Sequence, residues 1–139
     1  MERGTSDKKQ LEDAAACFDD AFNREDLDAV MGMFQEDAIY DQFNGIVARG
    51  KEAIREALIP QFRGDHGKMR FHREDRFVDV ESRRVAMRYR CTHEINGRVY
   101  EWRGIDTLHF EGGLVKEKHT YSKAEMPLLD PKPGEEFVP

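Results

Sequence analysis

The hydrophobic pattern of the chain changes period once, and this change constrains the fold more than any other feature. Before the glycines at positions 64 and 67, apolar residues recur at helical spacing. After them, apolar and polar residues alternate with the period of two that is typical of strands. Helices followed by a run of strands indicate an α+β domain and argue against a doubly wound parallel sheet.

Three helices are predicted in the first half. The first spans about residues 8–23, and Asp26 is placed to cap a short second helix. A strand over 38–43 and a glycine-framed loop lead to a third helix, which ends or kinks at Pro60. The apolar residues on the helical faces are Leu11, Ala14, Ala15, Phe18, Ala21, Phe22, Leu27, Val30, Met31, Phe34, Ile54, Leu58 and Ile59.

Four antiparallel strands are predicted in the second half, over residues 69–80, 85–94, 100–110 and 114–123. Asn96-Gly97 is a strong hairpin signal, and Glu111-Gly112-Gly113 makes a second tight turn. Residues 126–139 hold four of the five prolines and are predicted to form an irregular tail. We therefore expect one domain over 1–125 followed by this tail.

Composition excludes several classes of protein. A chain of 139 residues with 39% hydrophobic and 36% charged residues suits one globular domain. A net charge of −6 argues against a nucleic-acid partner. Cys17 and Cys91 lack the spacing of a zinc site or a disulfide framework, so no metal is expected. Since no apolar run would span a membrane and the start is charged, we expect no membrane partner, no signal peptide and a cytoplasmic location.

The alternation in the central hairpin separates an inner from an outer sheet face. The inner face is largely apolar and carries Met87, Tyr89, Cys91, His93, Tyr100, Trp102, Gly104, Asp106, Leu108 and Phe110. The opposite face is either solvated or part of an oligomer interface. Asp106 is the exception on the inner face, because it is a carboxylate among apolar side chains. It is the strongest candidate for a functional residue.

Three segments resemble successive blocks of SnoaL-like proteins, within the nuclear-transport-factor-2-like superfamily. They are CFDDAFNREDLDAVMGMFQEDAIYD, ARGKEAIREAL and WRGIDTLHFEGGLVKEKHTYSK. The superfamily includes ketosteroid isomerase, polyketide cyclases, scytalone dehydratase and limonene epoxide hydrolase. The resemblance implies a cystatin-like cone, in which a curved mixed or antiparallel sheet and three N-terminal helices enclose a pocket. It also implies a homodimer through the outer sheet face.

Residues of ketosteroid isomerase carry over in part. Its oxyanion-hole aspartate falls on Asp106, and its general base falls on Asp41 or Gln42, depending on where the alignment is anchored. Asp41 is favoured, since a glutamine cannot act as a base. The isomerase's tyrosine on the first helix falls on Phe18, which has no hydroxyl group. This difference argues against a true steroid isomerase.

The register of the last strand is open. In cyclases and epoxide hydrolases of the superfamily this strand often carries a pocket carboxylate, and the corresponding residue here is Thr120. A three-residue loop at Glu111-Gly112-Gly113 places Lys118 opposite Asp106. A two-residue turn or a bulge places His119 there instead. Lys118 is favoured, and His119 remains the alternative.

The hypothesis from sequence is a cofactor-independent enzyme that transfers protons on a small apolar carbonyl compound, in an isomerisation, cyclisation or dehydration. Asp41 would be the base and Asp106 the acid or oxyanion donor, with Lys118 or His119 tuning it. The expected pocket-lining residues are Phe18, Phe22, Phe34, Tyr40, Met87, Tyr89, Trp102 and Thr120. The alternative is a non-catalytic small-molecule-binding or dimerisation module, in which Lys118 neutralises Asp106.

Overall fold

The computed structural model describes residues 2–123, which form three helices and six strands. The helices are α1 (Glu2–Asn23), α2 (Leu27–Gly32) and α3 (Lys51–Arg63). The strands are β1 (Phe34–Asp41), β2 (Val47–Arg49), β3 (Lys68–Asp79), β4 (Arg84–Ile95), β5 (Arg98–Glu111) and β6 (Leu114–Lys123). The tail predicted over 126–139 lies outside the described residues.

The ends of the helices follow local backbone chemistry. Asp26 caps α2 as predicted, since its carboxylate accepts a hydrogen bond from the backbone N–H of Ala29 at 3.0 Å. Phe34, expected on that helix, instead begins β1, because a buried apolar residue suits either element. Of the two alternatives for Pro60, a helix end is excluded. Helix α3 continues to Arg63 and stops at Gly64, whose φ of 92° lies in the left-handed region.

The strands form one sheet in the order β2-β1-β6-β5-β4-β3. All neighbours are antiparallel except β1 and β6, which are parallel. The sheet is mixed, curved and unclosed, and the three helices pack against its inner face: α1 on β3 and β4, and α3 on β1 and β2. The predicted α+β cone is confirmed. Strand β2 lies in the stretch that was predicted to be a loop.

The core lies between α1 and the inner sheet face. Fully buried side chains from both sides meet there: Leu11, Phe18, Phe34, Val85, Met87, Leu108 and Phe110. Each large apolar side chain buried in this way contributes about 1.5–3 kcal/mol. The outer face is charged, and its residues pair across strands, as in the contact between Arg90 and Glu101 at 2.8 Å. The predicted division of the hairpin into two faces is confirmed.

Asn23, the last residue of α1, fixes this helix to the free edge of β3. Its side-chain amide donates to the carbonyl oxygen of Phe71 at 3.0 Å and accepts from the N–H of Phe71 at 2.9 Å. The amide thus replaces a neighbouring strand at one position of the edge. Because the end of α1 is held in this way, side chains one turn earlier are fixed over the inner face.

The turn between β5 and β6 determines which side chains share the inner face. Gly112 and Gly113, both at positive φ, form a two-residue turn, and a bulge then inserts Lys116. The shorter turn and the bulge each move β6 by one residue relative to the register of a three-residue loop. Asp106 therefore lies opposite Thr120, and neither predicted register is right. The observed register differs by two residues from the three-residue-loop register. A shift of two keeps every side chain on its expected face.

Candidate functional site on the inner sheet face

Three side chains of β5 and β6 form a hydrogen-bonded chain on the inner face. The Nζ of Lys118 donates to the Oγ1 of Thr120 at 2.7 Å, and this hydroxyl donates to the Oδ1 of Asp106 at 2.7 Å. The directions are fixed, since an ammonium group has donors only and Thr120 must therefore accept from it. The Nζ of Lys118 also lies 3.5 Å from the same carboxylate oxygen.

Tyr89 of β4 adds a second hydroxyl donor to this oxygen. Its hydroxyl donates to the Oδ1 of Asp106 at 3.4 Å. Burial, reinforced by the negative charge of Asp106, raises the pKa of the Tyr89 phenol far above its ordinary value. The phenol therefore keeps its proton and remains a donor. Its ring packs edge-on against Phe71 and Trp102, so the three side chains form an aromatic row.

Lys118 carries a buried positive charge. Only 4% of the residue is exposed, and its Nζ lies 4.3 Å from the centroid of the Tyr40 ring. Burial acts to lower the pKa of Lys118, but Asp106 and Tyr40 outweigh this effect and the pKa is raised. The ammonium group is thus charged at neutral pH, and Asp106 is its ionic partner.

The two oxygens of Asp106 have different surroundings. Oδ1 accepts from Thr120 and Tyr89 and faces Lys118, whereas no hydrogen bond among residues 2–123 involves Oδ2. The side chain is 13% exposed. The site therefore holds an anchored carboxylate with one oxygen left for a small molecule.

The structure does not bring Asp41 into this site. Strand parity is set by Phe34, Ala38 and Tyr40, which are buried on the inner face, so Asp41 points to the outer face. There its Oδ2 lies 3.2 Å from the Nδ1 of His119, its neighbour on β6. The sheet separates this pair from Asp106 and Lys118, and the predicted placement of Asp41 and Asp106 in one pocket is wrong.

The remaining position considered for the base also lies elsewhere. Gln42 follows the end of β1, and its side chain donates to the carbonyl oxygen of Ile46 at 3.1 Å within the turn. Of the two candidates on the last strand, Lys118 faces the inner side, whereas His119 lies opposite Thr107 on the outer side.

The expected lining residues lie on or against the inner face, and most are part of the packed core. Phe18, Phe22, Phe34, Tyr40, Met87, Tyr89 and Thr120 are buried, and Trp102 is half-buried. A cavity of about 350 Å³ lies elsewhere, between α1 and the end of β3. A second, of about 10 Å³, is lined partly by Phe22. A cavity at Asp106 stays a prediction.

Sequence reasoning missed one acidic residue of the inner face, Asp19 of α1. Its side chain is 22% exposed, and its Oδ2 accepts from the Nε of Arg73 at 2.9 Å. The signal was present in the sequence. Asp19 follows Leu11 by eight residues and Ala15 by four, so it lies on the apolar stripe of the helix.

Within residues 2–123, no group of three or more His, Cys, Asp or Glu side chains is arranged to hold a metal ion. None of the helices described is long and apolar enough to cross a membrane.

Solved structures with the same fold include a proposed polyketide cyclase, Bal32a and SalBIII. A proposed polyketide cyclase from Xanthomonas campestris pv. campestris is 21% identical, with a TM-score of 0.74 over 83% of this chain and 91% of that chain. Bal32a, from a soil-derived mobile gene cassette, is 20% identical, with a TM-score of 0.71 over 84% and 91%. SalBIII, an epoxide hydrolase/cyclase-like enzyme with a role in pyran ring formation in the polyether salinomycin, is 16% identical, with a TM-score of 0.73 over 83% and 92%.

Family comparison covers most of the domain. No curated protein matches the chain. The family model of the SnoaL-like domain matches residues 14–118, a range that contains α2, α3, the first five strands and the inner-face residues Asp19, Asp106 and Lys118. The chain belongs to the family of SnoaL-like domains.

Proposed function

We propose that this protein is a cofactor-independent acid–base enzyme that moves a proton on a small apolar carbonyl compound, with Asp106 as general base. The observation that carries the proposal is the asymmetry of this carboxylate on an apolar sheet face. One oxygen is held by Thr120, Tyr89 and Lys118, and the other is free of protein donors within the described chain. A positioned carboxylate of this kind is suited to removing a proton next to a carbonyl group.

The partners of Asp106 favour a base over the acid predicted from sequence. Thr120, Tyr89 and Lys118 all donate to it or carry positive charge, and such partners stabilise an acceptor. When Oδ2 takes a proton from substrate, the charge on Lys118 is no longer neutralised. This charge then stabilises the enolate that forms nearby.

The substrate class follows from the walls of the site. Tyr89, which donates to Asp106, packs against both Phe71 and Trp102, and this aromatic row suits an apolar ring better than a charged metabolite. The relatives described as a polyketide cyclase and as an epoxide hydrolase/cyclase-like enzyme support a compound of this kind. Isomerisation, cyclisation and dehydration all begin with such a proton transfer.

A non-catalytic small-molecule-binding module is the second candidate. The observation in its favour is the 3.5 Å contact between Lys118 and Asp106, which neutralises both charges inside the cone. In this case the carboxylate would orient a bound ligand without taking its proton.

Turnover of cyclohex-3-en-1-one separates the two candidates. Removal of an α-proton and its return at the γ-carbon give the conjugated enone, which is followed by ultraviolet absorbance. We expect Asp106→Asn to lower kcat by about 10²-fold or more, because the base is lost. Asp37→Asn, at an exposed carboxylate of β1, is the matched control. Equal kcat in Asp106→Asn and the unmodified protein would contradict the role of Asp106 as base. Binding in native mass spectrometry without turnover would support the binding module.

A further inference from the structure

A second carboxylate, Asp19, lies on α1 and contacts Arg73, the β3 partner of Tyr89, whose hydroxyl donates to Asp106. Asp19 belongs to the stripe of α1 that packs on β3 and β4, whereas its neighbour Asp20 is exposed. Asn23, one turn later, fixes this part of the helix to β3 through two hydrogen bonds with Phe71. The position of Asp19 is therefore set by the fold.

The contacts of Asp19 fall on one of its oxygens. The Nε and Nη2 of Arg73 lie 2.9 and 2.8 Å from Oδ2, and the Nη2 of Arg76 lies 4.0 Å from the same atom. Among the described residues, no hydrogen bond uses Oδ1. Because the Nε and Nη2 of Arg73 both approach Oδ2, and not one oxygen each, Oδ1 remains available to carry a proton.

The carboxylates of Asp19 and Asp106 have different charged and hydrogen-bonding neighbours. Burial raises the pKa of Asp19, the hydrogen bond and charge of Arg73 oppose this, and the charge of Asp106 adds to the rise. Asp106, in contrast, has the buried ammonium group of Lys118 and two hydroxyl donors. Two acidic groups in unlike environments are the arrangement from which acid and base roles arise.

We propose that Asp19 is the general acid of the site and that Arg73 positions it. The proposal rests on the proposed function, in which Asp106 is the base. The Oδ2 of Asp106 takes the α-proton of the substrate as the C–H electron pair forms the C=C bond of an enol. The carbonyl oxygen takes the proton from the Oδ1 of Asp19. Asp106 then returns its proton to the γ-carbon, and Asp19 recovers its own from the enol hydroxyl.

Arg73 has a defined part in this cycle. Asp19 becomes an anion once it has given up its proton, and the guanidinium group of Arg73 is already in contact with Oδ2. The ion pair is therefore strongest in the intermediate, where it stabilises the enol. The other charged groups that face Asp19 are Arg76 on β3 and Asp106 on β5.

The test uses the full chain with cyclohex-3-en-1-one as probe. We expect Asp19→Asn to lower kcat by about 10²-fold, while Asp20→Asn, the same change one residue along on the exposed side, leaves kcat unaltered. Asparagine has the same size as aspartate, and urea unfolding of Asp19→Asn at neutral pH, measured beside kcat, should show a cooperative transition of a folded protein. A loss of activity is then not a loss of fold.

The pH profile tests the role of Arg73. A general acid must be protonated, so kcat falls as the pH rises through the pKa of Asp19. Arg73 lowers this pKa, and Arg73→Gln is therefore expected to move the alkaline limb of the profile to higher pH. An unmoved limb would overturn the positioning role.

The outcomes for the two carboxylates are distinguishable. An active unmodified protein with an inactive Asp106→Asn and a fully active Asp19→Asn would overturn the role of Asp19 and leave the proposed function standing. No turnover by the unmodified protein would contradict the proposed function and, with it, the acid role.

Discussion

The ring of Tyr89 lies directly on Gly104 of the neighbouring strand. A Cβ atom at position 104 would come within 2.6 Å of the Cζ and hydroxyl oxygen of Tyr89, closer than real Cβ contacts. The absence of a side chain at Gly104 thus allows the phenol to cross β5 and reach Asp106. The glycine is required here for close approach.

Replacing Gly104 by alanine tests this relationship. The methyl group would displace the Tyr89 ring and break its hydrogen bond to Asp106. We expect a loss of about 1–3 kcal/mol in the free energy of unfolding, the usual cost of overpacking. Urea unfolding measures it, and the fluorescence of Trp102, whose ring centroid lies 5.9 Å from that of Tyr89, should change in the folded protein.

Gly32→Ala is the matched control for this substitution. Gly32 ends α2, and a Cβ there would meet nothing within 4 Å. It should therefore be neutral or slightly stabilising. If Gly104→Ala proved equally neutral, the packing of Tyr89 on Gly104 would not be a constraint.

Thr120→Val tests the hydroxyl that links Lys118 to Asp106. Valine has nearly the same shape but neither accepts from the ammonium group nor donates to the carboxylate. We expect the free energy of unfolding to fall by about 1–3 kcal/mol, since two buried charged groups lose a partner. Thr107→Val, on the outer face of the same sheet, should have a smaller effect in the same urea experiment. Equal effects would show that the hydroxyl of Thr120 has no special role.

The sequence allowed the architecture and the inner face to be predicted, because both follow from local periodicity. A change from helical to alternating spacing predicted the α+β order, and the parity of Asp106 predicted its place among apolar side chains. Lys118 and Thr120 were expected on the same face. They are there because the observed shift of the last strand is an even number of residues.

The errors arose where tertiary contacts decide the outcome. No local sequence pattern predicts the bulge at Lys116, which changes the residue of β6 that lies opposite Asp106. The alignment of Asp41 with a catalytic base ignored strand parity, which the buried Tyr40 beside it fixes. Asp19 was overlooked although its spacing places it on the apolar stripe of α1, because a charged residue at such a position usually reaches solvent. The packing of α1 on β3 holds it partly buried instead.

Association through the outer sheet face is a further prediction, drawn from the family resemblance. Tyr121 on this face is 58% exposed and Phe77 is 59% exposed, and an interface between two copies would cover these apolar side chains. We expect a homodimer in light scattering at micromolar concentration, and Tyr121→Glu should shift it to the monomer. Phe43→Glu, at a 63% exposed position in the turn after β1, is the control. A monomeric unmodified protein would contradict the prediction.

Lys118→Met should make the stability depend on pH in a way that identifies the buried ion pair. At neutral pH the change leaves Asp106 without its cation, and a cost of about 3–5 kcal/mol in unfolding free energy is expected. The pKa of Lys118 is raised above 10.5 in the folded state, so its contribution is complete below that pH and is lost as the pH rises further. The difference between the two proteins in urea unfolding should therefore shrink above about pH 10.5, while the rise in the pKa of Tyr89 affects both alike. Lys116→Met, at a lysine of the same strand whose side chain is 42% exposed, should change little. A difference at Lys118 that stayed constant with pH would show that this side chain contributes packing and not charge.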